Sequence, residues 1–206
     1  DEVFGSMEVG SADEEHRFNP SNPYAATKAS AELLVNSYVN TYDLDCVTTR
    51  CTNNYGPRQF YEKLIPKTIF LAQQNKKIPI YGQGKNIRDW IYVDDHCDAV
   101  FKILLDGKQG QSYNISANNE LDNISIVNKI LEILDKPSDL IEYVTDRPGH
   151  DLRYSLDSSK IQDSLNWKPQ TSFDDGLKST IDWVLDQPDS KNISNDVLSS
   201  TPWKNN

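Results

Sequence analysis

The sequence predicts an α/β fold. Segments with helical apolar spacing alternate with short β-branched runs along nearly the whole chain. Clusters of Gly, Pro and Asn punctuate them. Hydrophobic residues make up 37% of the 206, including ten Tyr, six Phe and four Trp. That is enough apolar material for a sizeable core, and it argues against wholesale disorder. The length suits one large domain or two small ones.

Residues 1–23 read as a strand end followed by a polar loop, acidic over 11–15 and turn-rich over 19–23. A helix is predicted over 24–42, where Ala25, Ala26, Ala29, Ala31, Leu33, Leu34, Val35 and Tyr38 give an apolar, small-residue face. The run 46–51 (CVTTRC) is a strand, and 53–57 (NNYGP) a turn. A second helix covers 64–75, with Pro66 in its first turn. Residues 78–81 (IPIY) form a short strand whose proline suits an edge, closed by a turn at 82–84.

Residues 89–93 are an apolar strand, after which Asp94 or Asp95 caps a helix over 96–106. A strand at 112–115 precedes a helix over 125–134, spaced by Ile126, Val127, Ile130, Leu131 and Leu134. A strand at 141–144 and helices at 158–165 and 173–185 complete the order. From Pro188 the chain is rich in Ser, Asn, Asp and Lys and reads as a mobile tail.

Thirty-one acidic residues against 21 basic ones give a net charge of −10. Such a chain is a poor partner for nucleic acid or anionic membrane, because both need cationic surface. No run nears the roughly 20 apolar residues of a membrane-spanning helix. No signal segment opens the chain. It starts at Asp1 without an initiator Met, so the numbering is expected to begin inside a longer polypeptide. Cys46, Cys51 and Cys97 make no CxxC and no complete disulfide framework; they read as core thiols in a reducing, cytoplasmic setting. With only His16, His96 and His150 beside them, no metal site is expected. No glycine-rich GxGxxG follows a strand.

Tyr24-Ala25-Ala26-Thr27-Lys28 is a YxxxK at helical spacing, with both side chains on one face. A Lys ammonium beside a phenol stabilises phenolate, and such a Tyr can take a proton from an alcohol as hydride leaves the carbon. The same spacing also occurs in ordinary exposed helices. Taken alone, the paired acids Asp1-Glu2 read as a solvated acidic terminus.

DEVFG, NPYAATKASAE, RCTNNYGPRQFYEKLIP, IPIYGQGKNIRDWIYVDDH, YNISANNE and DRPGHDLRY occur in that order. Together they resemble the dTDP-glucose 4,6-dehydratase family of extended short-chain dehydrogenase/reductases, from Asp1 to about Leu185. The resemblance covers only the later part of such an enzyme; the glycine-rich NAD turn would lie upstream of Asp1. It implies the later part of a Rossmann-like parallel sheet over 1–57 and 88–110. It also implies a smaller α/β nucleotide-sugar domain over 58–87 and 111–185, with 186–206 a flexible polar tail.

The resemblance further implies NAD as a bound cofactor contacted by Tyr24 and Lys28, a nucleotide-diphosphate sugar such as dTDP-glucose as substrate, and a homodimer through the Tyr24 helix. Tyr24, aided by Lys28, takes the O4 proton. Glu2 is the base for the C5 proton, and Asp1 the acid for the departing C6 hydroxyl. Asn53 and Arg88 hold the diphosphate, while Glu62, Lys63 and Leu64 open a helix toward the nucleotide. Pro79 and Tyr81 hold the base, and Asn123, Arg147 and His150 complete the pocket. His96 stays structural, and Phe4, where Tyr is usual, is packing. Related 4-epimerases and decarboxylases share YxxxK and the Asn-x-Tyr-Gly-Pro run, but not the Asp-Glu pair. A third expectation is a non-catalytic fragment that lacks NAD binding.

Overall fold

The protein is described by a computed structural model over residues 1–187. The chain divides into two compact units. Unit 1 comprises residues 1–54, 88–120 and 151–171; unit 2 comprises 55–87, 121–150 and the described residues from 172 on. Segments 111–120 and 151–171, expected in the nucleotide-sugar domain, therefore cluster with unit 1. The reason is pairing. β5 (Ser112–Ile115) lies parallel to β1 (Thr48–Cys51), with Thr48 opposite Ser112 and Cys51 opposite Ile115. Ile161, Leu165 and Trp167 then cover that pair together with Ile91, Ala99, Ile103, Tyr113 and Ile115.

In unit 1 the chain opens not with a strand end but with a 3₁₀ turn, Glu2–Phe4. Helix α1 (Pro23–Tyr42) follows. Asn22 caps it, its side-chain oxygen accepting from the Ala25 amide at 2.9 Å, and Pro23 sits in the first turn where no donor is lost. Its buried residues are Ala25, Ala29 and Glu32. Ala29 packs with Val3, Phe4, Ala12 and Leu156 in a second small core. The large apolar residues Leu33, Leu34, Tyr38 and Tyr42 face outward instead.

The turn expected at 53–57 contains a short strand, β2 (Asn53–Tyr55). Helix α3 (Val93–Asp106) follows β4 (Ile87–Tyr92). Neither aspartate caps α3; both lie in its first turn, and Asp95 reaches the amides of Gln170 and Thr171 at 3.0 and 2.9 Å. Asp89 likewise accepts from the amides of Asn118 and Asn119. Cys46 and Cys51 are half-buried, but Cys97 is exposed, so it is not a core thiol. Helix α5 (Ser159–Leu165) closes the unit's element list.

Unit 2 is built on helices α2 (Leu64–Gln73), α4 (Asn123–Ile133) and α6 (Phe173–Asp186). β3 (Ile78–Tyr81) runs parallel to β7 (Ile141–Val144). α2 ends two residues before the expected 75, and Asn75 takes a left-handed φ of 51°. Asp122 caps α4 by accepting from the Ser125 amide at 2.9 Å. Leu71, Ala72, Ile78, Ile80, Val127, Leu131 and Leu140 form one apolar core. A three-residue strand, β6 (Glu120–Asp122), was not expected; the boundary between units falls inside it, and inside β2 and β4. The tail expected over 186–206 lies, beyond Gln187, outside the described residues. Among the described residues no helix is long and apolar enough to cross a membrane.

Candidate active site

Unit 1 gathers the four residues expected to do chemistry. The Asp1 main-chain nitrogen donates to the Cys51 carbonyl at 3.2 Å, which holds Asp1 beside the C-terminal end of β1. Asn53 lies two residues beyond that end. In open α/β sheets, ligands bind outside the carboxyl ends of strands. Val3 and Phe4 anchor the turn by burial. Gly5 ends it with φ +69°, and a Cβ there would lie 2.4 Å from the Asn19 carbonyl oxygen, so the position excludes any side chain.

Asn22 joins the acidic turn to the helix. Its Nδ2 donates to Glu2 Oε2 at 3.2 Å while its Oδ1 caps α1. Two residues on, Tyr24 is 58% exposed. One turn further, the Lys28 ammonium stands over the Tyr24 ring, 5.6 Å from its centroid. The aromatic hydroxyl and its cation thus stay outside the unit's own packing. One Asp1 carboxyl oxygen, Oδ2, is buried with no hydrogen-bond partner among the described residues.

Arg88 is 5% exposed. Its two terminal nitrogens donate to the carbonyls of Asp151 (2.9 Å) and Leu152 (3.3 Å), and its guanidinium stacks 4.1 Å above the Tyr154 ring. The Tyr154 hydroxyl and the Ser21 hydroxyl both donate to Asp151 Oδ2, the former at 2.6 Å. Burial and the Asp151 carboxylate push the Tyr154 hydroxyl far above its usual range, so it remains a donor. Sequence reasoning missed Ser21, Asp151 and Tyr154. Their only signal was position, immediately before the Tyr24 helix and immediately after DRPGH.

Unit 2 holds the residues expected at the nucleotide. Ile78 and Ile80 are buried, while Pro79 and Tyr81 alternate onto the other face of β3, as a strand's period of two requires. The His150 ring meets the Tyr81 ring edge-on, with centroids 6.5 Å apart. Burial raises the Tyr81 hydroxyl pKa above its ordinary value, partly countered by the Arg147 charge.

His150 Nδ1 lies 2.7 Å from Asp146 Oδ1, which also accepts the Arg147 amide at 2.8 Å. Burial raises the Asp146 carboxyl, but the His150 contact, the Arg147 amide and the two positive side chains outweigh it and hold the group below its ordinary value. The main-chain amides of Asn123 and Ile124 donate to the Asn86 and Gly84 carbonyls at 3.2 and 3.0 Å, which ties the start of α4 to the loop between β3 and β4. Lys63 pairs with Glu62 at 3.0 Å in solvent before α2, whereas Leu64 packs on the apolar core. The structure thus brings Tyr81 to His150, and Asn123 to the loop between β3 and β4.

The GDP-mannose 4,6 dehydratase family model matches residues 1–180. A probable dTDP-glucose 4,6-dehydratase of Sinorhizobium fredii is 45% identical over 194 residues, which cover 90% of this chain and 55% of that protein. The dTDP-glucose 4,6-dehydratase DesIV of Streptomyces venezuelae, solved with NAD bound, is 42% identical with a TM-score of 0.89, covering 90% of this chain and 58% of that one. A UDP-glucuronic acid 4-epimerase of Bacillus cereus, solved with UDP-glucuronic acid and NAD, shares the fold at a TM-score of 0.85 but only 26% identity, covering 89% and 59%. The chain spans a little over half the length of the curated relatives it matches. The α/β fold with parallel pairing is the Rossmann-like fold of these dehydratases. A match over 180 of the 206 residues, a range that includes the turn, the Tyr24 helix and the His150 loop, shows that the chain belongs to the GDP-mannose 4,6 dehydratase family.

Proposed function

We propose that this chain carries the reaction residues of a nucleotide-sugar 4,6-dehydratase that converts dTDP-glucose to dTDP-4-keto-6-deoxyglucose and water. The observation that carries this reading is the link Glu2–Asn22–Ala25, which sets the Glu2 carboxyl beside the first turn of the helix bearing Tyr24 and Lys28. The greater identity to dehydratases than to the epimerase supports it.

Tyr24, aided by the Lys28 ammonium that stands over its ring, takes the proton from the sugar O4. Oxidation at C4 makes the C5 proton acidic, and Glu2 removes it. Asp1 gives a proton to the C6 hydroxyl, which leaves as water, and once C6 has been reduced Glu2 returns its proton to C5. NAD, when bound, supplies the hydride acceptor for C4 and the hydride donor for C6, so no net redox change results. Tyr24 and Lys28 would hold it, and their exposed position on α1 fits that task.

Arg88 and Asn53 hold the diphosphate; Glu62, Lys63 and Leu64 present the start of α2 to the nucleotide. Pro79 and Tyr81 wall the base, and Asn123, Arg147 and His150 complete its contacts. The outward apolar residues of α1, Leu33, Leu34, Tyr38 and Tyr42, support a homodimer through that helix. Three free cysteines support a reducing, cytoplasmic setting.

The test is to incubate the product of the complete open reading frame with dTDP-glucose and NAD and to identify the sugar by NMR. The 4-keto-6-deoxy product is expected, and Asp1→Ala is expected to abolish water loss. Accumulation of a 4-epimer, or unchanged turnover by Asp1→Ala, would replace this reading with an epimerase.

A further inference from the structure

We propose that Arg50 and Glu32 are positioning residues that lock the Tyr24–Lys28 helix and the Asp1–Glu2 turn into one frame. This rests on the dehydratase reading for the roles of those four residues, but not for the geometry. Arg50 and Glu32 are 8% and 7% exposed. Arg50 Nε donates to both Glu32 carboxylate oxygens at 2.9 and 3.1 Å, and Nη2 donates to Oε1. Nη1 donates to the Glu14 carbonyl at 3.1 Å, and the Ser112 hydroxyl donates to Glu32 at 3.2 Å. The guanidinium also stands 5.2 Å from the Phe4 ring centroid and 5.5 Å from that of Phe18.

Arg50 therefore touches both carriers of the reaction groups. Glu32 lies one turn beyond Lys28 on α1, about 6 Å along the axis at 1.5 Å per residue. Fixing Glu32 fixes the rotation and height of that helix. Phe4 ends the turn that begins at Glu2. At the N-terminal end of α1, Asn22 binds Glu2. Two ties, at the cap and nearly three turns down, remove the rotation that one tie would permit.

Packing alone does not do this. Arg50 borders a cavity of about 320 Å³ whose lining also includes Glu14, Glu15, Asn36, Gln111 and Ser112. That space leaves room for α1 to shift, and the directional guanidinium fork takes the freedom away. A buried ion pair contributes little net stability against apolar side chains of similar size, so orientation is the better account of it.

The test compares wild type, Glu32→Leu/Arg50→Met and Arg50→Lys in the product of the complete open reading frame. It reads kcat and KM for dTDP-glucose dehydration and hydrogen exchange across residues 22–29. Misplacement on the order of 1 Å costs up to about 100-fold in rate, so the double variant should lose about 10- to 100-fold in kcat with KM nearly unchanged. Exchange in the first two turns of α1 should quicken while β1 and β5 keep their protection. Arg50→Lys keeps the charge without the fork and should show the same pattern more weakly; it carries both readouts if the double variant does not fold. Wild-type kcat and wild-type exchange in a folded variant would overturn the proposal. If wild type makes no 4-keto-6-deoxy sugar, the dehydratase reading fails, and the exchange comparison alone decides the positioning claim.

Discussion

The two units handle polar residues in opposite ways. Unit 1 buries Glu32, Arg50, Arg88, Asp95 and Asp151, each with a polar atom bonded to a partner far along the chain. Unit 2 has an apolar core and leaves three of its expected ligand residues toward solvent: Glu62 and Lys63 before α2, and Arg147 on the loop after β7. A group that moves protons must be held within a fraction of an ångström, and buried, directional bonds do that. A group that grips one end of a ligand can order itself on binding.

The sharpest way to break this contrast is to compare turnover with binding. Tyr24→Phe in unit 1 should lower kcat about 1000-fold, the usual scale of a lost proton acceptor, and change KM little. Tyr81→Ala in unit 2 should raise KM about tenfold by removing a stacking wall, while kcat stays within a few-fold. Steady-state kinetics of dTDP-glucose dehydration would show both. A kcat loss at Tyr81 as large as at Tyr24 would erase the division of labour.

A smaller effect concerns stability. Gly84, after β3, has φ +69°, and a Cβ there would lie 2.8 Å from Ile80 Cγ2 and 2.9 Å from Ile124 Cβ. Gly84→Ala should destabilise unit 2 by about 2–4 kcal/mol, combining left-handed strain with overpacking. Asp151→Ala strands the Ser21 and Tyr154 hydroxyls of unit 1 and should cost about 1–3 kcal/mol. Urea denaturation with a probe in each unit would rank them. The reverse order would mean that the polar lattice of unit 1, not the apolar core of unit 2, is the more sensitive.

Local signals were legible where they sufficed. Helical period located α1, α4 and α6 within two residues of their observed ends. β2 and β6 were not legible, since Asn53-Asn54-Tyr55 and Glu120-Leu121-Asp122 are three-residue strands with no apolar alternation. Asp95 looked like a cap because its true partners, the amides of residues 170 and 171, lie 75 residues away. The proposed reaction residues rest on motif order, and the residues proposed to steady them belong to no motif. An Arg inside the β-branched run CVTTRC, and a Glu three positions after Ala29 on a small-residue stripe, were the available signals of a buried pair.

The smallest expected effect tests the contrast through acid. In unit 1, Arg153 forks onto Glu120 at 2.6 and 2.7 Å. Burial raises the Glu120 carboxyl, but the Arg153 and Ser155 hydrogen bonds and the Arg153 charge outweigh it, so its folded pKa lies below the ordinary 4.5. In unit 2, Asp146 is likewise held below its ordinary 3.8. A depressed folded pKa means that the unfolded chain binds the proton more readily. Each group's stabilisation is therefore complete above its unfolded value and disappears as pH falls through the folded one. Glu120→Gln should lower stability by about 1 kcal/mol at pH 7, with the difference closing below about pH 4. The Asp146 side chain is 42% exposed, so solvent screens it, and Asp146→Asn should cost at most about 0.5 kcal/mol. Melting temperatures between pH 3 and 7 would separate the two (a range set by ordinary carboxylate titration). An Asp146→Asn loss equal to that of Glu120→Gln would show that the loop of unit 2 is held as tightly as the lattice of unit 1, and the contrast between them would fail on its weakest pair.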